Sequence, residues 1–155
     1  MLKSLRPLML AACLLASVPP VALADEVSNY VKDGVAIGGT DPVAYFTVGK
    51  PVAGLPELAT EWNGVTWHFS SAANRDAFMK EPARFAPQYG GYCAVGASYG
   101  KKIPIDSAAW KIVGGKLYLN SGEKAQSLFL SDETATISRA DASWPKIEQI
   151  PAGKL

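Results

Sequence analysis

Asn63-Gly64 constrains this chain more than any other pair of residues. An Asn-Gly step between two alternating apolar runs is the preferred two-residue hairpin turn, because both turn positions need positive φ. The flanks are Leu58-Ala59-Thr60-Glu61-Trp62 and Val65-Thr66-Trp67-His68-Phe69. A two-residue turn sets the register: Trp62 opposes Val65, Glu61 opposes Thr66, Thr60 opposes Trp67 and Ala59 opposes His68. One face then carries Leu58, Trp62, Val65, Trp67 and Phe69 and is expected to be core. The other carries Ala59, Glu61, Thr66 and His68, with Glu57 and Glu61 as diagonal neighbours of the histidine. A second hairpin is expected where Trp110-Lys111-Ile112-Val113 and Lys116-Leu117-Tyr118-Leu119 flank Gly114-Gly115. There Trp110, Ile112, Leu117 and Leu119 share one face. Lys111, Val113, Lys116 and Tyr118 share the other, with both lysines solvated.

Helix signals fill the spaces between. Asp41 can cap a short helix that Pro42 opens and that stops near Gly49. Ser70-Ser71 predicts a helix to about Lys80 with Ala73, Ala77 and Phe78 inward, and Pro82 opens another turn through Phe85. Residues 92–99 read as a short helix closed by Gly100, directly after Gly90-Gly91. Residues 121–149 read as helical with a break or kink near Pro145. No internal repeat is visible beyond the two dissimilar hairpins. The expected architecture is α+β: one small domain with two short antiparallel hairpins and several short helices.

The chain begins differently. Lys3 and Arg6 precede an apolar run, Pro19-Pro20 breaks it, and Ala22-Leu23-Ala24 supplies small residues, so residues 1–24 read as a secretory signal peptide. A lipoprotein cleavage box ending at Cys13 is the alternative. Residues 25–34 are expected as a polar lead-in and 35–150 as the domain. Cleavage removes two basic residues, turning the formal charge from +1 to −1. That balance argues against a phosphate-driven nucleic-acid surface, and no spanning helix is expected in the mature chain. It also leaves Cys93 as the single cysteine, which excludes an internal disulfide and a two-cysteine redox cycle within one chain. The expected location is the periplasm.

Several of these pieces, in their order, resemble a family. Asp41-Pro42-Val43, the strand end Trp67-His68-Phe69-Ser70, Pro82-Ala83-Arg84-Phe85, Tyr89-Gly90-Gly91-Tyr92-Cys93-Ala94 and Gly115-Lys116-Leu117-Tyr118-Leu119-Asn120 are similar to exported YHS domain-containing (seleno)proteins. The resemblance spans about residues 35–146. It implies kinship with TRASH domains, small modules associated with heavy metals, copper in particular. The cysteines of the metal-binding relatives are replaced here by Ala44 and by Ser70, Ser71 and Asn74. The family name implies selenocysteine in some members, and Cys93 is the position put forward for it.

Three readings follow. The first is a soft-metal module that holds copper through Cys93 with His68, and weakly Met79, and exchanges it with a metal-donor or metal-acceptor protein. The second is a thiol redox protein with Cys93 as nucleophile, His68 as base and an external resolving thiol. The third is a non-catalytic partner-binding module whose Cys93 is buried. Asp41 is read as a helix cap. Tyr45, Tyr89, Tyr92 and Tyr118 are read as packing residues that could line a pocket.

Overall fold

Asn63 and Gly64 adopt φ values of 53° and 70°, the left-handed pair that a tight hairpin needs. The structure, a computed structural model, describes residues 27–155, so the expected leader and Cys13 lie outside the described residues. Strands β1 (Val31–Lys32), β2 (Val35–Ala36), β3 (Leu55–Trp62) and β4 (Val65–Phe69) form a sheet in the order β1-β2-β4-β3, with β2 parallel to β4. The expected register holds from Trp62↔Val65 to Ala59↔His68. A bulge between Leu55 and Ala59 then takes Glu57 out of that ladder. Val65, Trp67 and Phe69 are buried, while Thr66 and His68 on the other face are half-buried. The stretch expected as a polar lead-in supplies β1 and the buried Ser28 and Asn29, so it belongs to the packed body.

Six α-helices are placed among the described residues: α1 (Ala44–Thr47), α2 (Ala72–Lys80), α3 (Pro82–Phe85), α4 (Ala94–Ser98), α5 (Glu123–Ser131) and α6 (Glu133–Ile147). Ser71 Oγ accepts from the Asn74 amide at 3.1 Å, the expected cap of α2. Phe78 is buried against Trp62, Trp67 and Phe69, with ring centroids 5.1–5.7 Å away. Such aromatic pairs add to the burial of each ring. Ala73, expected inward, is exposed. The inward position of that turn is taken by Asn74, whose amide reaches Asp41. The tail breaks at Asp132 rather than near Pro145. Asp132 leaves helical geometry (φ −158°, ψ 75°) and accepts from the Ala135 amide at 3.1 Å, starting a new helix. Pro145 sits inside α6, where the Glu148 amide still closes on Trp144 O at 2.8 Å. No helix among the described residues is long and apolar enough to cross a membrane.

The second hairpin joins β5 (Asp106–Val113) to β6 (Lys116–Asn120) in the expected register, Val113↔Lys116 to Trp110↔Leu119. Lys111 and Lys116 are exposed as expected. Tyr118, on their face, is buried between Tyr89 and Phe129. Both faces of β6 are covered: among the described residues Leu117 and Leu119 join the apolar cluster of the first hairpin, and Tyr118 joins a second one.

A repeat that the sequence hides becomes visible here. Ile37-Gly38-Gly39 and Tyr89-Gly90-Gly91 are both left-handed turns, with φ of 44°, 63°, 78° and 56°, 61°, 82°. Each is followed two residues later by a capping side chain, Asp41 or Cys93. Then come a short helix, a hairpin with a left-handed turn, and a nine-residue helix with one buried phenylalanine, Phe78 or Phe129. The two turns touch: a side chain on Gly91 would come within 2.6 Å of Ile37 Cγ2, and one on Gly90 would strike the Ser28 carbonyl. Only glycine fits either place.

Candidate functional site

Cys93 is the N-cap of α4 and is 0% exposed. Its sulfur accepts from the Gly96 amide at 3.4 Å and lies 3.7 Å from Asn120 Oδ1. The orientation of Asn120 follows from its other neighbours. Its Oδ1 also receives the Val95 amide at 3.3 Å, and only an oxygen can accept there. Its Nδ2 donates to Gln126 Oε1 at 2.9 Å, and Gln126 Nε2 donates to Trp110 O at 2.8 Å. Cys93 therefore meets a fixed acceptor, and its S–H is the donor.

The same construction holds the first unit together. Asp41, 0% exposed, accepts from the Val43 and Ala44 amides through Oδ1 at 2.9 and 3.3 Å. Its Oδ2 accepts from the Ser70 amide at 2.8 Å, Ser70 Oγ at 2.6 Å and Asn74 Nδ2 at 2.7 Å. Asp41 is thus the expected helix cap, and it also binds that helix to the end of the hairpin and to α2. Cys93, Asn120 and Gln126 divide the same task among three residues. Asn120 ends its hairpin as Ser70 ends the other, and Gln126 follows Cys93 at the separation at which Asn74 follows Asp41.

Neither His68 nor Met79 is among the hydrogen-bond partners of Cys93. His68 sits half-buried on β4, opposite Ala59 and close to Gly39 and Gly54. None of these residues is among the polar partners of Cys93. Met79 is 59% exposed on α2, beside the buried Phe78, so it does not fill the core. Among the described residues no group of three or more His, Cys, Asp or Glu side chains comes together as a metal-holding cluster.

Two other features stand out, of which the sequence had signalled only that Tyr89 could line a pocket. Lys102 is 5% exposed, and its ammonium donates to the carbonyls of Val27, Glu148 and Ile150 at 2.7, 2.6 and 2.8 Å. It also lies over the Tyr92 and Trp144 rings, 5.5 and 5.4 Å from their centroids. The second is a cleft of about 540 Å³ where Trp62, Ala86, Pro87, Tyr89, Trp144 and Pro145 form walls and Gln88, Lys116 and Asp141 supply polar groups. Other cavities measure about 170–210 Å³. Tyr89 enters the cleft from the left-handed turn, a conformation that costs a bulky residue about 1–3 kcal/mol. Its O–H donates to Asp141 Oδ1 at 2.9 Å, and its ring packs on Tyr118 and Trp144.

Burial, the bond to Asp141 and the nearby charges of Asp141 and Tyr118 push the Tyr89 phenol far above the usual tyrosine range. Burial is also the main cause that raises Tyr45, Tyr92 and Tyr118, reinforced by Asp106, Tyr30 and Asp141 respectively. An acid raised in the folded state stabilises the fold fully below its unfolded value and loses that contribution as pH rises toward the folded value. Stability should therefore fall above pH ~10, by up to about 1.4 kcal/mol per pH unit for each buried tyrosine. An alkaline titration that follows tyrosinate absorbance together with circular dichroism checks this. These four phenols should ionise only as the fold is lost, and their ionisation in an intact fold would refute it.

Comparison with protein-family models, curated proteins and solved structures gives no match for this chain.

Proposed function

We propose that the chain is an exported binding module in which Cys93 is a structural thiol and the cleft between Trp62, Tyr89 and Trp144 seats the ligand. One observation carries this reading: the sulfur of Cys93 is fully enclosed and satisfied as donor and acceptor, in the place that Asp41 holds in the first unit. A copper(I) ligand or a redox nucleophile needs a thiolate and a path to it. The cleft, in contrast, has the volume of a small-molecule site, aromatic walls and a few polar groups. The leader-like residues 1–24 support export.

Alkylation tests the thiol. Iodoacetamide should leave Cys93 unmodified in native buffer and give one adduct in urea, read by intact mass. Native labelling at the rate of a free thiol would overturn the structural reading. Anaerobic copper(I) titration adds a second check. Stoichiometric copper binding that disappears in Cys93→Ala would restore the metal reading suggested by the YHS resemblance. The expected outcome is identical titration of parent and variant, with Cys93→Ala about 1–3 kcal/mol less stable because the Gly96 and Asn120 groups lose a partner.

A further inference from the structure

We propose that the cleft takes a small zwitterion with a flat apolar body, its cationic group on Asp141 and its anionic group on Lys116. This rests on the reading of the cleft as the ligand seat. Asp141 and Lys116 line the same cleft and carry opposite charges. They make no ion pair with one another; the ion pairs among the described residues are Arg75–Asp76 and Arg84–Glu81. Asp141 Oδ2 and the Lys116 ammonium have no hydrogen-bond partner among the described residues, whereas Asp141 Oδ1 is held by the Tyr89 O–H. That bond sets Asp141 apart from a freely rotating surface carboxylate. It fixes one oxygen and leaves the other without a hydrogen-bond partner among the described residues. Tyr89 is in turn fixed by its left-handed backbone and by Tyr118 and Trp144. Aromatic and proline surfaces line the same cleft and suit a planar apolar body.

Charge selects among ligand classes. A purely cationic ligand meets repulsion from Lys116, and a purely anionic one from Asp141. A neutral apolar ligand pairs with neither charge and gains only the apolar contact. A molecule that carries both an ammonium and a carboxylate beside its apolar body satisfies both groups.

The probes are tryptophan, tryptamine, indole-3-propionate and indole, titrated by calorimetry and by the indole N–H resonances of Trp62 and Trp144. Tryptophan should bind at least about tenfold more tightly than any of the other three, which corresponds to about 1.4 kcal/mol. Asp141→Asn should weaken tryptophan and tryptamine but not indole-3-propionate, and Lys116→Gln should weaken tryptophan and indole-3-propionate but not tryptamine. Both residues are exposed, so both variants should keep the parent's resonance dispersion. Indole binding as tightly as tryptophan would overturn the zwitterion and leave the cleft as the seat. If no probe moves the Trp62 and Trp144 resonances, the ligand seat itself falls.

Discussion

Asp41→Asn is expected to lower folding stability by about 3 kcal/mol, and Asp41→Ala by about 4–5 kcal/mol. The side chain is fully buried and receives donors from Val43, Ala44, Ser70 and Asn74 on both of its oxygens. Asparagine keeps the shape but replaces one acceptor by an NH₂ donor. Turned one way, that group faces the Val43 and Ala44 amides. Turned the other way, it faces the Ser70 amide, the Ser70 hydroxyl and the Asn74 amide. Either placement sets donor against donor in a dry site, which is why the isosteric change does not rescue. Urea unfolding followed by tryptophan fluorescence measures the loss, with an unchanged slope as the sign of an intact two-state transition. A loss below about 1 kcal/mol would mean that the neighbouring donors relax onto other acceptors, and the linchpin reading would fail. A double-mutant cycle with Asn74→Ala isolates the contribution across to α2.

Lys102→Met is expected to cost about 2–4 kcal/mol, with the damage concentrated at the chain's end. The ammonium uses its three protons on Val27, Glu148 and Ile150 carbonyls, and thereby ties the first described residue to the end of α6 and beyond. The 2.6–2.8 Å distances are those of charge-assisted bonds. Burial pulls the lysine below its usual range, and the negative charge of Glu148 opposes that pull. Methionine keeps much of the apolar stem and removes the three bonds. Arginine should not substitute, because a planar fork cannot address three carbonyls gathered around one point. Hydrogen exchange checks the location: amides of residues 148–155 should exchange faster in Lys102→Met, while those of β3 and β4 change less. Parent-like protection of 148–155 would refute the clasp.

Local chemistry was legible in the chain. Two hairpins, their registers and the caps at Asp41 and Ser71 follow from turn residues and alternation, because each depends on residues near one another in sequence. The same local logic misplaced the break in the tail. A proline inside a helix looks like a stop, but Asp132 ends α5 with backbone angles that no apolar pattern announces. Ala73 was misread for a related reason: small and apolar, it lost the inward place to a polar Asn74 with a buried carboxylate to reach. The repeated unit stayed hidden because its two capping residues belong to different chemical classes, a carboxylate and a thiol. Spacing and backbone handedness are what the units share, and only the φ angles display the second of these.

The candidate site divides in the same way. The sequence by itself determined that Cys93 is the single cysteine of residues 25–155 and that His68 lies off the core face of its strand, since composition and a two-residue turn decide both. Only the tertiary structure decided that Cys93 faces Asn120 and not an imidazole, that Met79 points to solvent, and that Tyr89, Lys116 and Asp141 meet in one cleft. Each of these joins residues far apart in the chain. Such contacts depend on how the two hairpins and α6 pack, and packing is set by the sum of many weak burials, not by any short run of residues.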